Sequence, residues 1–175
     1  MSVDWEHSEY IGRPSLSPVV GALAAGGLLR KSDRVLDVGC GRGTDAIALA
    51  RMGFRRVDAL DVNANAIRAA RRRAKAAGVD GAVAWRRGSA LELEAHYGPA
   101  AFDAIVDTLF VNNLRDADAR RYSHALHTLG SDSADAMLVL LTAATVRGAA
   151  PLVLAALGQA VVRTGDISET SEIRG

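Results

Sequence analysis

Val35-Leu36-Asp37-Val38-Gly39-Cys40-Gly41-Arg42-Gly43-Thr44 is the stretch of sequence that decides the fold. Its first residues belong to a short apolar run that is typical of a buried strand, and three glycines follow at every second position. Glycine adopts positive φ angles at little steric cost and lets a ligand approach the backbone closely, as cofactor-binding loops require. The stretch therefore predicts a strand, a ligand-binding turn and a helix in direct succession.

Strands and helices alternate along the rest of the chain. Apolar runs predict strands over residues 34–38, 56–61, 82–86, 102–107 and 136–141, with a last short strand at Val161-Val162. A first helix is predicted from Ser17-Pro18 to Leu29, and others over residues 45–52, 64–77, 116–129 and 149–157. Such alternation produces parallel βαβ units. The predicted fold is α/β: a Rossmann-like, doubly wound, mostly parallel sheet in three α/β/α layers.

Composition limits the class of protein. The chain has 175 residues, the length of one domain, and its 49% hydrophobic and 23% charged residues are typical of globular proteins. One cysteine, Cys40, excludes a disulfide framework and a zinc site built on thiolates. The formal charge of +1 predicts no general attraction to nucleic acid or to a membrane. We expect an arm or lid over residues 1–14, one domain over residues 15–175, and a cytoplasmic location.

A basic run lies on the helix predicted over residues 64–77. It consists of Arg68, Arg71, Arg72, Arg73 and Lys75. Positions 68, 72 and 75 share one face of this helix, whose simplest interpretation is a solvent-exposed exterior rather than a patch for an anionic partner. The four histidines lack the spacing of metal ligands, so no metal site is predicted.

The second informative residue is Asp61, at the end of the second predicted strand and eighteen positions after Gly43. A carboxylate at this place can accept hydrogen bonds from both hydroxyls of a ribose. The glycine spacing G-x-G-x-G differs from the dinucleotide pattern G-x-G-x-x-G, and no Gly-Lys-Ser/Thr follows, as a P-loop would need. Asp37 would repel a pyrophosphate and attract a sulfonium or an ammonium. A nicotinamide-dependent oxidoreductase is therefore the less favoured alternative.

These segments together resemble class I S-adenosylmethionine-dependent methyltransferases. Residues 35–43 resemble the first motif of that family, Asp61 in Ala59-Leu60-Asp61-Val62-Asn63 its second, and Phe102-Asp103-Ala104-Ile105-Val106-Asp107 its fourth. The sequences around Gly43-Thr44-Asp45-Ala46-Ile47 and Asp107 are most similar to the small thiopurine/tellurite-type members.

The resemblance implies a role for each matching residue. S-adenosylmethionine would be the cofactor and S-adenosylhomocysteine the product. Asp37 would lie near the ammonium of the cofactor, Asp61 on its ribose, and Val62 on its adenine, whose edge Ser89 and Ala90 would read. The remaining cofactor contacts would come from the glycine loop and from the end of the fourth strand, at Gly39, Cys40, Gly41, Gly43 and Asp107.

Candidates for chemistry are few. Asp107 is the candidate general base, should the acceptor need one, and Asn112, Asn113 and Tyr10 are the candidates for substrate binding. Cys40 faces the glycine turn and is predicted to be a small buried filler rather than a nucleophile. The predicted reaction is in-line methyl transfer to a small-molecule acceptor.

Three departures from the family pattern leave an alternative open. Ser89 stands where the family commonly has aspartate, Asn112-Asn113 where many relatives have two histidines, and only about eighteen residues follow Leu157. The antiparallel strand pair that usually ends the family's sheet would then be incomplete. Its open edge would invite a second copy of the chain or a partner subunit. The alternative function is binding of the cofactor without methyl transfer, as a partner subunit or in a sulfonium-assisted reaction of another kind.

Overall fold

The structure, a computed structural model, describes residues 18–27, 29–108, 110, 114–130 and 137–140. Five strands form one parallel sheet in the order β3-β2-β1-β4-β5. Their bounds are β1 Arg34–Val38, β2 Arg56–Asp61, β3 Val83–Arg87, β4 Ala104–Asp107 and β5 Met137–Leu140. β1 lies at the centre, with Val38 opposite Leu60 of β2 and Asp107 of β4.

Helices connect the strands on both faces of the sheet. Their bounds are α1 Pro18–Ala25, α2 Thr44–Arg51, α3 Ala64–Ala76, α4 Leu93–His96 and α5 Asp116–Leu129. Single 3₁₀ turns, Asp80–Ala82 and Ala90–Glu92, precede β3 and α4. None of the helices in the described ranges combines the length and the apolar character needed to cross a bilayer.

Two buried clusters show that the sheet is covered on both faces. One cluster joins α1, α2 and α3 to the sheet through side chains such as Leu23, Leu49, Ile67 and Val35. The other joins α4 and α5 to the opposite face through side chains such as Leu93, Tyr122, Leu126 and Leu36. Neighbouring residues of β1 point to opposite faces, as the period of a strand requires. The predicted three-layer, doubly wound α/β fold is confirmed.

Most element ends agree with the sequence within one or two residues, and the differences have local causes. The first helix ends at Ala25 instead of Leu29, because Gly27 takes φ +75° and the Leu29 amide turns back to the Leu23 carbonyl. β4 starts at Ala104: the Asp103 amide donates to the Arg34 carbonyl, but the Arg34 amide donates to the Asp103 carboxylate instead of continuing the backbone ladder. Asn63 caps α3 as predicted, accepting from the amides of Asn65 and Ala66.

Several sequence predictions lie outside the described residues. They are the arm over residues 1–14 with Tyr10, the substrate candidates Asn112 and Asn113, the helix over residues 149–157, the strand at Val161-Val162 and the open sheet edge.

Candidate functional site

The candidate site lies where the strand order reverses. From β1 the chain passes to β2 on one side of the sheet, whereas β4 lies on the other side. In open α/β sheets such a switch point leaves a crevice at the carboxyl ends of the strands, where ligands bind. The loop of residues 39–43 leaves β1 at this point, and Asp107 ends the adjacent β4. The fold therefore brings together the first and the fourth sequence motif.

Each glycine of the loop has a backbone conformation that a larger residue would strain. The φ angles are +66° at Gly39, +54° at Gly41 and +72° at Gly43, all in the left-handed region. One backbone bond fixes the loop to β2, from Cys40 N to the Leu60 carbonyl at 3.0 Å, and a second closes the turn within the loop, from Gly43 N to the Cys40 carbonyl at 2.8 Å. The spacing of the three glycines thus reflects the shape of one tight, rigid turn.

Two residues that sequence reasoning missed hold the far end of this loop. A Cβ atom on Gly43 would lie 2.3 Å from the Trp85 ring of β3. The Arg73 guanidinium of α3 donates to the Arg42 carbonyl at 2.8 Å and to Thr44 Oγ1 at 3.0 Å. Burial and the neighbouring Arg42 lower the pKa of Arg73. Arg73 is therefore a loop anchor, a role that the sequence did not predict.

Asp61 connects the glycine loop to the end of β2. Its Oδ2 accepts from the Gly41 amide and its Oδ1 from the Asn63 amide, each at 2.8 Å. Burial raises the pKa of the Asp61 carboxyl, and the two backbone amides partly oppose that shift. Because a carboxylate oxygen has two lone pairs, each oxygen keeps capacity for a further donor. The structure thus places Asp61 beside the glycine loop, where a ribose could be bound.

Asp37 is 2% exposed and lies on β1, two positions before Gly39. Its Oδ2 accepts from the Ala46 amide in the first turn of α2 at 3.2 Å. A carboxylate at a helix N-terminus is stabilised by the free amides and by the helix dipole. Asp37 therefore orients α2 against the loop, and its role toward a ligand ammonium stays a prediction.

Cys40 is buried within the loop, with 8% of its surface exposed. Burial raises the pKa of its thiol well above the ordinary value, and the charges of Asp37 and Asp61 raise it further. The thiol is therefore neutral at physiological pH, which agrees with its expected role as a filler.

The loops after β2 and β3 lie side by side. The Gly88 amide donates to the Asp61 carbonyl at 3.0 Å, and the Arg87 side chain to the Val62 carbonyl at 3.3 Å. Ser89 Oγ accepts from the Leu91 amide at 3.2 Å and caps the turn that begins at the buried Ala90. Val62, Ser89 and Ala90 thus belong to adjoining loops, as an adenine site would need. Their contact with adenine stays a prediction.

Asp107, the candidate base, is fully buried. Its Oδ2 accepts from the Tyr122 hydroxyl at 2.8 Å and its Oδ1 from the Phe110 amide at 2.7 Å. Burial, followed by the charge of Asp107, raises the pKa of Tyr122 well above its ordinary value. These bonds give Asp107 a structural role in the loop after β4, and its catalytic role stays a prediction.

Comparison with known proteins identifies relatives of this arrangement. Residues 35–132, more than half of the chain, match a family model described as a methyltransferase domain. An uncharacterized protein of Mycobacterium tuberculosis is 34% identical over 109 residues, which are 61% of this chain and 38% of that protein. The 27-O-demethylrifamycin SV methyltransferase of Amycolatopsis mediterranei is 36% identical over 77 residues, 44% of this chain and 28% of that enzyme.

A solved structure has the same fold. It is described as the conversion of a disulfide bond into a thioacetal group during echinomycin biosynthesis, and it superposes with a TM-score of 0.59 and 32% identity. The match covers 67% of this chain and 46% of that one. The chain thus spans less than half the length of these relatives.

The tight packing at Gly43 predicts a large loss of stability in Gly43→Ala. A left-handed alanine alone costs about 1–2 kcal/mol, and the contact with Trp85 should add about 1–3 kcal/mol. Gly78→Ala is the matched control, because Gly78 has φ +69° and the added methyl group would meet no described residue within 4 Å. Urea denaturation measures both free energies of unfolding. Equal losses in the two variants would show that Trp85 does not restrict the loop.

The burial and raised pKa of Cys40 predict a slow reaction with thiol reagents. The folded chain should react with a disulfide reagent such as Ellman's reagent far more slowly than the chain unfolded in urea. One equivalent should react after unfolding, because the chain has one cysteine. Rapid reaction of the folded chain would place the thiol in contact with solvent and contradict the loop geometry.

Proposed function

This chain belongs to the methyltransferase-domain family, and we propose that it binds S-adenosylmethionine and transfers its methyl group to a small-molecule acceptor. The observation that carries the proposal is the bond between the Gly41 amide and Asp61, which places a half-buried carboxylate against a turn of three left-handed glycines. These relatives are more than twice as long as the part that this chain matches, so the activity of the whole protein is part of what we propose.

The charges of the site fit this cofactor. The charges of Asp37 and Asp61 raise the pKa of the Cys40 thiol at the centre of the loop, so both carboxylates lie near it. Nearby carboxylates favour the ammonium and sulfonium groups and disfavour a pyrophosphate. The glycine spacing likewise disfavours a dinucleotide.

The residues of this chain would bind the cofactor and orient it toward the acceptor. Asp61 would accept from the ribose hydroxyls, Val62 would pack on the adenine, and Ser89 and Ala90 would contact its edge. Gly39, Gly41 and Gly43 would expose backbone to the methionine part, with Asp37 beneath them. The bound cofactor supplies an activated methyl group with a good neutral leaving group, so the protein mainly aligns the acceptor and excludes water.

The small-molecule acceptor is supported by two relatives. One is named for its action on a rifamycin derivative, and the other structure concerns echinomycin biosynthesis. The sequences at residues 43–47 and around Asp107 add the likeness to thiopurine/tellurite-type enzymes. Asn112, Asn113 and Tyr10 stay candidates for acceptor binding. The low net charge makes nucleic acid the less favoured acceptor, and a cytoplasmic location stays an expectation from composition.

One observation favours the alternative of cofactor binding without transfer. Both oxygens of Asp107 already accept bonds from the protein, and its side chain is fully buried. An acceptor that needs proton removal would then have to supply its own base or find one elsewhere in the chain. Incubation with methyl-labelled cofactor and a panel of phenols, thiols and amines separates the two functions. A chain that binds the cofactor yet labels no acceptor supports the alternative.

Substitution of Asp61 tests cofactor binding directly. Titration calorimetry with S-adenosylhomocysteine should show binding to the wild type, weakened by about 1.5–3 kcal/mol in Asp61→Asn, because the charged acceptor for the ribose is lost. Asp58→Asn is the matched control: Asp58 lies on the same strand, and burial also raises its pKa. The absence of binding to the folded wild type, or equal weakening in both variants, would contradict the proposal.

The raised pKa of Asp61 predicts how this affinity depends on pH. A protonated carboxyl loses its charge, so affinity for S-adenosylhomocysteine should be retained above the pKa and lost as pH falls through it.

The folded chain also binds this proton more tightly than the unfolded chain. Ionisation of Asp61 therefore lowers the free energy of unfolding as pH rises through the pKa.

Titrations from about pH 7 down to about pH 4 measure this dependence. Asp61→Asn should remove the loss of affinity at low pH, and Asp58→Asn should retain it. A wild-type affinity that does not change over this range would show that the charge of Asp61 does not contact the ligand.

A further inference from the structure

On the β4 side of the glycine loop, an aromatic side chain lies against the first glycine. Phe110 follows β4, and its Cβ lies 3.1 Å from the position that a Cβ on Gly39 would take. Its ring centre is 5.2 Å from that of Tyr122, with the rings at 72° in an edge-to-face contact. Phe110 thus contacts the first glycine of the loop on one side and a buried tyrosine of α5 on the other.

The backbone of Phe110 is fixed by the same tyrosine through Asp107. The Tyr122 hydroxyl donates to Asp107 Oδ2, and Asp107 Oδ1 accepts from the Phe110 amide. Tyr122 and Asp107 are both fully buried, so water cannot replace the bond between them without a change of structure. Each carboxylate oxygen faces one of the two donors. Tyr122 therefore contacts the ring of Phe110 and also the Asp107 carboxylate, which accepts from the Phe110 amide.

We infer that Tyr122 is a positioning residue, which acts through Asp107 to hold Phe110 against Gly39 as the wall of the cofactor site. The inference rests on the proposed function. Gly39 would face the methionine part of the cofactor, so a shift of Phe110 would alter the space next to that part. Tyr122 itself lies in the core on the α5 face, with no exposed surface through which to contact a ligand.

Asp107 gains a different role from this arrangement. Its carboxylate is oriented from the core by a hydroxyl and in turn orients the loop backbone. The affinity of the site would then depend on the Tyr122 hydroxyl, which no ligand touches. A purely structural tyrosine would change the stability of the fold and leave the affinity of the folded fraction unchanged.

Two tyrosine-to-phenylalanine substitutions distinguish these roles. Tyr122→Phe keeps the ring and removes the hydroxyl. Tyr97→Phe is the matched control, because Tyr97 packs on the same core cluster and its hydroxyl interacts with the Arg86 side chain rather than with Asp107. Titration with S-adenosylhomocysteine should show about tenfold weaker binding in Tyr122→Phe, the scale of one lost hydrogen bond, and unchanged binding in Tyr97→Phe. Equal affinities of wild type and Tyr122→Phe would overturn the inference.

A double-mutant cycle tests whether Tyr122 acts through Phe110. Phe110→Ala alone should weaken binding, and adding Tyr122→Phe to it should change the affinity by less than about twofold. Phe110 is half-buried, and the measurement on Phe110→Ala alone does not depend on the folding of the Tyr122 variant. Unchanged affinity in Phe110→Ala, or additive losses in the double variant, would overturn the inference. A wild type that does not bind S-adenosylhomocysteine would instead overturn the proposed function.

Discussion

The hydrogen bond from the Gly41 amide to the Asp61 carboxylate is the contact on which the site depends. Parallel pairing of β1 and β2 brings Val38 opposite Leu60, so the two strands end at the same edge of the sheet. The bond then fixes the loop after β1 to the residue that ends β2. Because the carboxylate is partly buried, its charge is tolerated only while backbone amides solvate it. The bond from Gly41 N to Asp61 Oδ2 therefore sets both the shape of the loop and the position of the carboxylate that would accept from a ligand.

The same kind of hydrogen bond, from a backbone amide to an aspartate, recurs along the carboxyl edge of the sheet. Asp37, Asp61 and Asp107 stand at or next to the ends of three neighbouring strands, and each accepts from an amide of the segment that follows its strand. Asp37 orients a helix, Asp61 a turn and Asp107 the loop that includes Phe110. Side chains from elsewhere in the fold complete the arrangement, with Arg73 and Trp85 at the glycine loop and Tyr122 at Asp107. Three carboxylates, each bonded to a backbone amide, thus hold the segments that leave the carboxyl edge of the sheet.

Local patterns were enough to predict the elements and the first half of the site. The alternation of strands and helices, the glycine spacing and Asp61 all depend on residues close in sequence, and β2 and α5 have their predicted bounds. Arg73, Trp85, Phe110 and Tyr122 were missed, because their roles arise from contacts between segments that are distant in the chain. Arg73 illustrates the limit. The sequence shows it only as one member of a basic run, and only the packing of α3 beside the loop makes its guanidinium a backbone donor.

The contact between Gly43 and Trp85 also constrains how this protein can diverge. Trp85 occupies the volume that any side chain at position 43 would need, so the two positions cannot vary independently. A mutation that enlarges residue 43 would be tolerated only after a smaller residue replaces the indole, which in turn opens a cavity between β3 and α3. Evolution from this sequence must therefore pass through a less stable intermediate, and the glycine is retained by the packing of a neighbouring strand as well as by any ligand.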